Sequence, residues 1–172
     1  MNKFVLVFST VLALSIFAIT AQDEEGTEKA GAAPKSASFV RPEQLQWGPA
    51  PAGLPAGAQM VVLDGNPAKK GSFTVRLKMP DGYKIPPHTH PTIERVTVIS
   101  GTAHLGMGPK FDQAGSQALS AGGFAVLPSG MEHFTWATGE TVVQIHSHGP
   151  FKITYVNPAD DPRNAKQQSA RQ

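Results

Sequence analysis

Four side chains in two short stretches have the types and spacing for metal chemistry. Gly82–Gly101 carries His88, His90 and Glu94, and Gly122–His133 adds His133. Three imidazoles and one carboxylate suit a divalent transition ion with coordination positions left open. Neutral imidazole with carboxylate favours manganese, iron, nickel, zinc or copper over calcium, which takes mostly oxygen. Open positions admit water, dioxygen or a chelating substrate. In a catalytic reading Glu94 is also a labile ligand that moves to accept a proton.

Such a site needs elements that bring the donors together from two directions. Side chains at even separations along a strand share a face, so His88 and His90 point the same way. Glu94 lies a further even step along, with Pro91 between as a local kink. His133 must come from another hairpin. The surrounding pattern is consistent with this. Phe73, Val75, Leu77 and Met79 alternate with Thr74, Arg76 and Lys78, the signature of a half-buried strand. Met60–Leu63 precedes it. Ile93–Ile99 follows as a β-branched strand that Gly101 closes, with Thr102–Met107 running back. Phe124–Leu127, Phe134–Ala137, Val142–His148 and Phe151–Val156 complete the set, and Lys110–Gln117 reads as a loop or one helical turn. Many short strands at regular spacing imply a sandwich or barrel.

A second His-x-His pair sits late in the chain. Gln144, His146 and His148 share one face of a strand, and Val143, Ile145 and Ser147 the other. Gln144 and His146 either stand beside the metal as orienting or proton-transfer groups, or belong to an outward polar face; His148, next to Gly149-Pro150, belongs to the outward face. By parity Arg95 faces away from the metal, and Phe134 and Trp136 lie on the barrel exterior or in a dimer contact. His104 reads as a rim residue.

The 172 residues allow one domain of ordinary size, and 40% hydrophobic residues provide for a core. Gly 17 and Pro 15 without a period predict turns rather than long helices. The net charge of +2, with no Lys/Arg cluster, argues against a nucleic-acid partner. There is no cysteine, which removes disulfides, thiolate ligands and cysteine nucleophiles. Lys3 followed by the apolar Phe4–Ala21 reads as an export leader cleaved after Ala21, giving a periplasmic or secreted protein with no membrane contact thereafter. An uncleaved anchor is the alternative, since the apolar run is just long enough to span. The chain then divides into residues 1–21 as signal peptide, 22–57 as flexible tether and extended approach, 58–157 as barrel and 158–172 as polar tail.

The two metal-ligand stretches resemble the paired motifs of the cupin superfamily. Gly82–Gly101 follows the first motif: glycine, five residues, His-x-His, three residues, glutamate, six residues, glycine. Gly122–His133 follows the second: glycine, five residues, Pro-x-Gly, two residues, histidine, met here by Pro128, Gly130 and His133. The asparagine usual four residues later is Ala137, which touches a polar strand contact rather than the ligand set. The resemblance implies an all-β, single-domain jelly-roll β-barrel with one divalent metal inside, held by His88, His90, Glu94 and His133. It also implies homodimers packed through the barrel's outer face.

Two functions follow. One is a metal-dependent oxidoreductase or isomerase acting on a small organic molecule, with dioxygenase-like or isomerase-like chemistry. The other is a non-catalytic module that binds a metal or a small ligand. A phosphorylated substrate is disfavoured unless Arg76 or Lys78 points inward.

Overall fold

A computed structural model describes residues 36–164 of the chain. The expected leader lies outside the described residues, as do residues 22–35 of the tether and 165–172 of the polar tail. Among the described residues nine strands follow in order: β1 (Gly48–Pro49), β2 (Gln59–Asp64), β3 (Gly71–Met79), β4 (Lys84–Thr89), β5 (Glu94–Met107), β6 (Gln117–Ser120), β7 (Phe124–Leu127), β8 (His133–Gly149) and β9 (Thr154–Tyr155). Every pairing is antiparallel. No helix of the described residues is long and apolar enough to cross a membrane.

Two long bent strands organise the barrel. The first half of β5 pairs with β7 and with the second half of β8, which continues through β3 to β2. The second half of β5 pairs with β6 and with the first half of β8, which continues to β4 and then β9. Each long strand therefore serves both halves of one continuous sheet, which curls around a common interior as a jelly roll.

This corrects the reading of Gly101 as the end of a strand. Gly101 lies within β5 at a positive φ of 74°, inside the second of two register shifts against β8, between Ser100 and Thr102. The buried Thr141 hydroxyl fills the irregularity: it accepts from the Thr102 N–H at 3.1 Å and donates to the Thr102 carbonyl at 3.1 Å. A bulge of this kind bends a strand without ending it. Likewise Phe134–Ala137 and Val142–His148 are two arms of the single strand β8, bent at Gly139 with φ 67°.

The alternation read in β3 holds: Phe73, Val75, Leu77 and Met79 are buried and the residues between them are half-buried or exposed. They join Tyr83, Ile85, Val96, Val98, Leu127, Val143 and Tyr155 in the core. Burying each Val or Leu side chain is worth roughly 1.5–3 kcal/mol.

Phe134 has the outward parity expected of it, yet it is buried. Its ring lies where a side chain on residue 106 would stand, which only Gly106 permits, and Phe111 packs on it at 4.8 Å. Trp136 is half-buried, stacked on His104 at 3.6 Å, with its indole N–H donating to Ser116 Oγ at 3.0 Å. The loop before β6 covers both aromatic residues, a tertiary contact that strand parity does not report.

The Pro/Gly approach, expected as extended chain, instead turns at Ala52–Gly53 and Ala56–Gly57, with the Leu54 N–H donating to the Pro51 carbonyl at 2.9 Å, and it is packed. Tyr83 donates to the Pro55 carbonyl at 2.6 Å and Tyr155 to the Gly53 carbonyl at 2.8 Å. The segment from Pro51 to Pro55 is thereby strapped across one end of the barrel interior. From the tail, Arg163 reaches back to the Ile153 carbonyl at 3.1 Å.

Candidate metal centre

The four candidate ligands arrive on three chain segments. His88 is the penultimate residue of β4, opposite His133 at the start of β8 in the same register pair. Residues at such a pair share a face, so the two rings meet, with centroids 4.2 Å apart. His90 lies just past β4, its ring 4.9 Å from His88 and 5.4 Å from His133. Glu94 opens β5.

The turn between β7 and β8 docks the second motif on the first. Gly130 takes the left-handed conformation (φ 74°) and its N–H donates to the His90 carbonyl at 2.8 Å. Ser129 Oγ donates to the Pro91 carbonyl at 2.7 Å. Across the kink, the fully buried Ser147 hydroxyl donates to the Ile93 carbonyl at 2.7 Å, fixing the backbone that delivers Glu94.

One feature is common to the three rings. Nδ1 of His88 lies 2.7 Å from the Pro86 carbonyl, Nδ1 of His90 2.7 Å from the Lys152 carbonyl, and Nδ1 of His133 3.0 Å from the Met131 carbonyl. A carbonyl oxygen only accepts, so each Nδ1 carries the hydrogen and each neutral ring presents a bare Nε2. One ligand atom from each ring lies within 4.8 Å of the others. Glu94 Oε2 lies 3.5 Å from His90 Nε2 and 3.3 Å from His133 Nε2. Lone pairs and a carboxylate thus converge with no donor among them, an arrangement that asks for a cation at its centre, whether a proton or a metal ion. The residues fit a divalent transition metal.

Burial sharpens that demand. The relative exposures are 3% for His88, 7% for His90, 6% for Glu94 and 2% for His133. Burial, reinforced by the neighbouring His133 and His90, pushes His88 down to about 3. Burial also lowers His90. For Glu94 burial acts upward, but the His133 contact and the charge of His90 outweigh it and hold the carboxyl below its usual range. Burial thus disfavours protonation of His88 and His90, and Glu94 is held toward its ionised form, the states in which these groups ligate.

The cluster opens on a cavity of about 140 Å³. Its walls are apolar side chains, with Pro51, Gly53 and Leu54 of the strap at one end. Val143 and Ile145 line it, so Gln144 and His146 face outward. Gln144 accepts from Arg76 Nε at 3.1 Å, and His146 Nδ1 pairs with Thr74 Oγ1 at 2.9 Å. Their placement beside the metal is thus corrected: they form the polar outer face, because the interior register of β8 belongs to Val143, Ile145 and Ser147. His148 and Arg95 are exposed, and His104 is half-buried against Trp136 on the outside. Lys78 Nζ sits 4.5 Å from the Trp47 ring centre. Neither Arg76 nor Lys78 turns inward.

Three contributors escaped the sequence reading. Thr135 lines the cavity two residues past His133, where the parity that put Phe134 outward would have marked it. Phe151 stacks on His90 at 4.1 Å with 16° between the planes. The carbonyls that orient the rings have no sequence signal.

The family described as the ChrR cupin-like domain matches residues 35–152. No curated protein matches the chain. Among solved structures, the chain is similar to a candidate acetylacetone dioxygenase from Methylibium petroleiphilum PM1, with 22% identity, TM-score 0.58, and coverage of 76% of this chain and 88% of that one. The polyketide cyclase RemF from Streptomyces resistomycificus shares 17% identity at TM-score 0.57, over 77% of this chain and 94% of its own. The DMSP lyase DddQ from Ruegeria pomeroyi DSS-3 shares 21% identity at TM-score 0.51, over 64% and 60%. At these identities the likeness concerns the fold.

Proposed function

The chain belongs to the ChrR cupin-like family of the cupins, and on that premise we propose that it is an exported metalloenzyme acting on a small organic molecule. His88, His90, Glu94 and His133 would hold one divalent transition metal. When bound, such an ion supplies Lewis-acid or redox chemistry at its open coordination positions. The observation that carries the reading is the convergence of three tautomer-fixed imidazoles and a buried carboxylate beside an apolar-walled cavity.

The chain's own residues then have distinct tasks. The carbonyls of Pro86, Lys152 and Met131 hold the rings, and Phe151 braces His90. The apolar walls exclude water and leave the polar end of a ligand only the cluster to face. Glu94, ionised in the metal-free site, is the group placed to take a proton from a ligand. The relatives of similar fold include a candidate dioxygenase, a cyclase and a lyase, so dioxygenase-like and isomerase-like reactions both fall within the proposal. Export rests on Lys3 and the apolar Phe4–Ala21. A homodimer would use the outer face, where Phe124 and Val126 are exposed.

The test is elemental analysis of protein purified from its native compartment, followed by metal removal and titration with each candidate ion. One tightly bound ion per chain is expected, lost in the His88→Ala/His133→Ala variant. Undiminished binding in that variant would refute the site. Stoichiometric metal with no turnover of any oxygen-bearing small molecule would favour the non-catalytic module.

A further inference from the structure

The cavity beside the cluster also specifies what it can take. Its side walls are Phe73, Val75, Leu77 and Met79 from β3 and Val143 and Ile145 from β8. Beyond the three histidines and Glu94, the one side chain in its lining with a hydrogen-bonding group is Thr135. Among the described residues no lysine, arginine or carboxamide side chain lines it, since the nearby Arg76 and Lys78 are engaged outside. Its volume is about 140 Å³, and an apolar cavity of about 150 Å³ holds a benzene-sized guest.

From this we infer that the ligand is a compact, mainly hydrocarbon molecule with a single oxygen-bearing head, carrying at most one further polar atom. The head faces the cluster, the body fills the apolar walls, and Thr135 serves the one additional polar atom. Polyhydroxylated and phosphorylated molecules are excluded on the same grounds. Each hydroxyl set against Val75 or Val143 would lose its water partners without replacement, and a phosphate would find no side-chain cation in the walls. The inference rests on the metal reading, because the head needs an ion to face.

The two readings separate in one experiment on the purified chain loaded with Co(II). Cobalt uptake, followed by its visible absorption, tests the metal centre alone. The loaded protein is then titrated with straight-chain carboxylates from acetate to hexanoate, with 3,4-dihydroxybutanoate and with inorganic phosphate. Each added methylene should tighten binding about fourfold until the cavity fills. Dihydroxybutanoate should bind about tenfold more weakly than butanoate, or weaker still, and phosphate should not compete. The near-isosteric Val143→Thr, which places a hydroxyl in the wall, should narrow the gap between butanoate and its dihydroxy analogue while cobalt uptake stays unchanged. Cobalt bound with no dependence on chain length, or with dihydroxybutanoate or phosphate matching butanoate, would overturn the inference and leave the metal site standing. No cobalt uptake would overturn the metal reading, and this one with it.

Discussion

Two His-x-His pairs with the same spacing meet opposite fates in this molecule. His88 and His90 are buried and converge on Glu94 and His133, whereas His146 and His148 stand on the outer face of β8. The hydrogen-bond partners differ as much as the burial. The inner rings bind backbone carbonyls, which only accept and so dictate which nitrogen is bare. The outer rings bind the hydroxyls of Thr74 and Ser72, which donate or accept and dictate nothing. A candidate ligand pair is thus distinguished by its partners and its face rather than by its spacing.

The strongest way to break this comparison is to remove ligands from the inner site. His88→Ala with His133→Ala should lower metal affinity far beyond the 10–100-fold cost of losing an orienting partner. Calorimetric titration with zinc or cobalt measures it. Retained affinity would place the ion elsewhere, and the outer pair would be the first place to look.

Acid should separate the inner site from the rest of the molecule next. His88 is held near 3 in the folded metal-free chain, against about 6.5 when unfolded. Between those values the unfolded chain binds the extra proton, so this contribution to stability is complete above about pH 6.5 and is lost progressively as pH falls toward 3. The lowered Glu94 acts in the same sense at the acid end, since its contribution disappears as the carboxylate protonates. Denaturant unfolding of metal-free protein at pH 7 and pH 4 should show a loss of stability at the lower pH. His88→Gln, which has no titrating ring, should flatten the slope; an unchanged slope would remove His88 as its source. Metal affinity should fall over the same range, because protons compete for Nε2.

The sequence carried the inner site far but left the outer one ambiguous, for a physical reason. His88, His90, Glu94 and His133 are tied by spacing to turn residues such as Gly130 whose geometry is local. The alternation in β8 likewise separates Gln144 and His146 from Val143 and Ile145. Which set faces inward depends on the register against β3 and β5, and that is a long-range property. Gly101 misled for a related reason: a positive-φ glycine serves a hairpin and a bulge equally well, and the partner strand decides between them. The strap from Pro51 to Pro55 turns rather than extends, and its anchors, Tyr83 and Tyr155, are distant in sequence.

Phe151 sharpens the comparison at intermediate scale, since it braces an inner ring and has no counterpart on the outer pair. Its stacking on His90 adds to the Lys152 carbonyl contact from the same segment. Phe151→Ala should weaken metal binding about tenfold, the lower end of what an orienting partner is worth. Phe151→Tyr, which keeps the stacked face, should restore it. A loss that Tyr does not rescue would mean that the aromatic face over His90 is not what holds the ring.

The smallest expected effect is the most exacting test of the comparison. His146→Ala with His148→Ala removes as many imidazoles as the first variant, from a strand the two sites share. Exposed substitutions away from packed or strained positions change stability by about 0.5 kcal/mol or less. Metal affinity should therefore stay within about twofold, because neither ring touches the cavity and their bonds end at Thr74 and Ser72. The backbone of β8 at these positions is held by its pairing with β3, which the side chains do not supply. Ser147, buried between them, keeps its bond to the Ile93 carbonyl and so the backbone that delivers Glu94. A tenfold loss of affinity in this variant would show that the outer rings support the inner site through Ser147, and the two faces of β8 would have to be treated as one site.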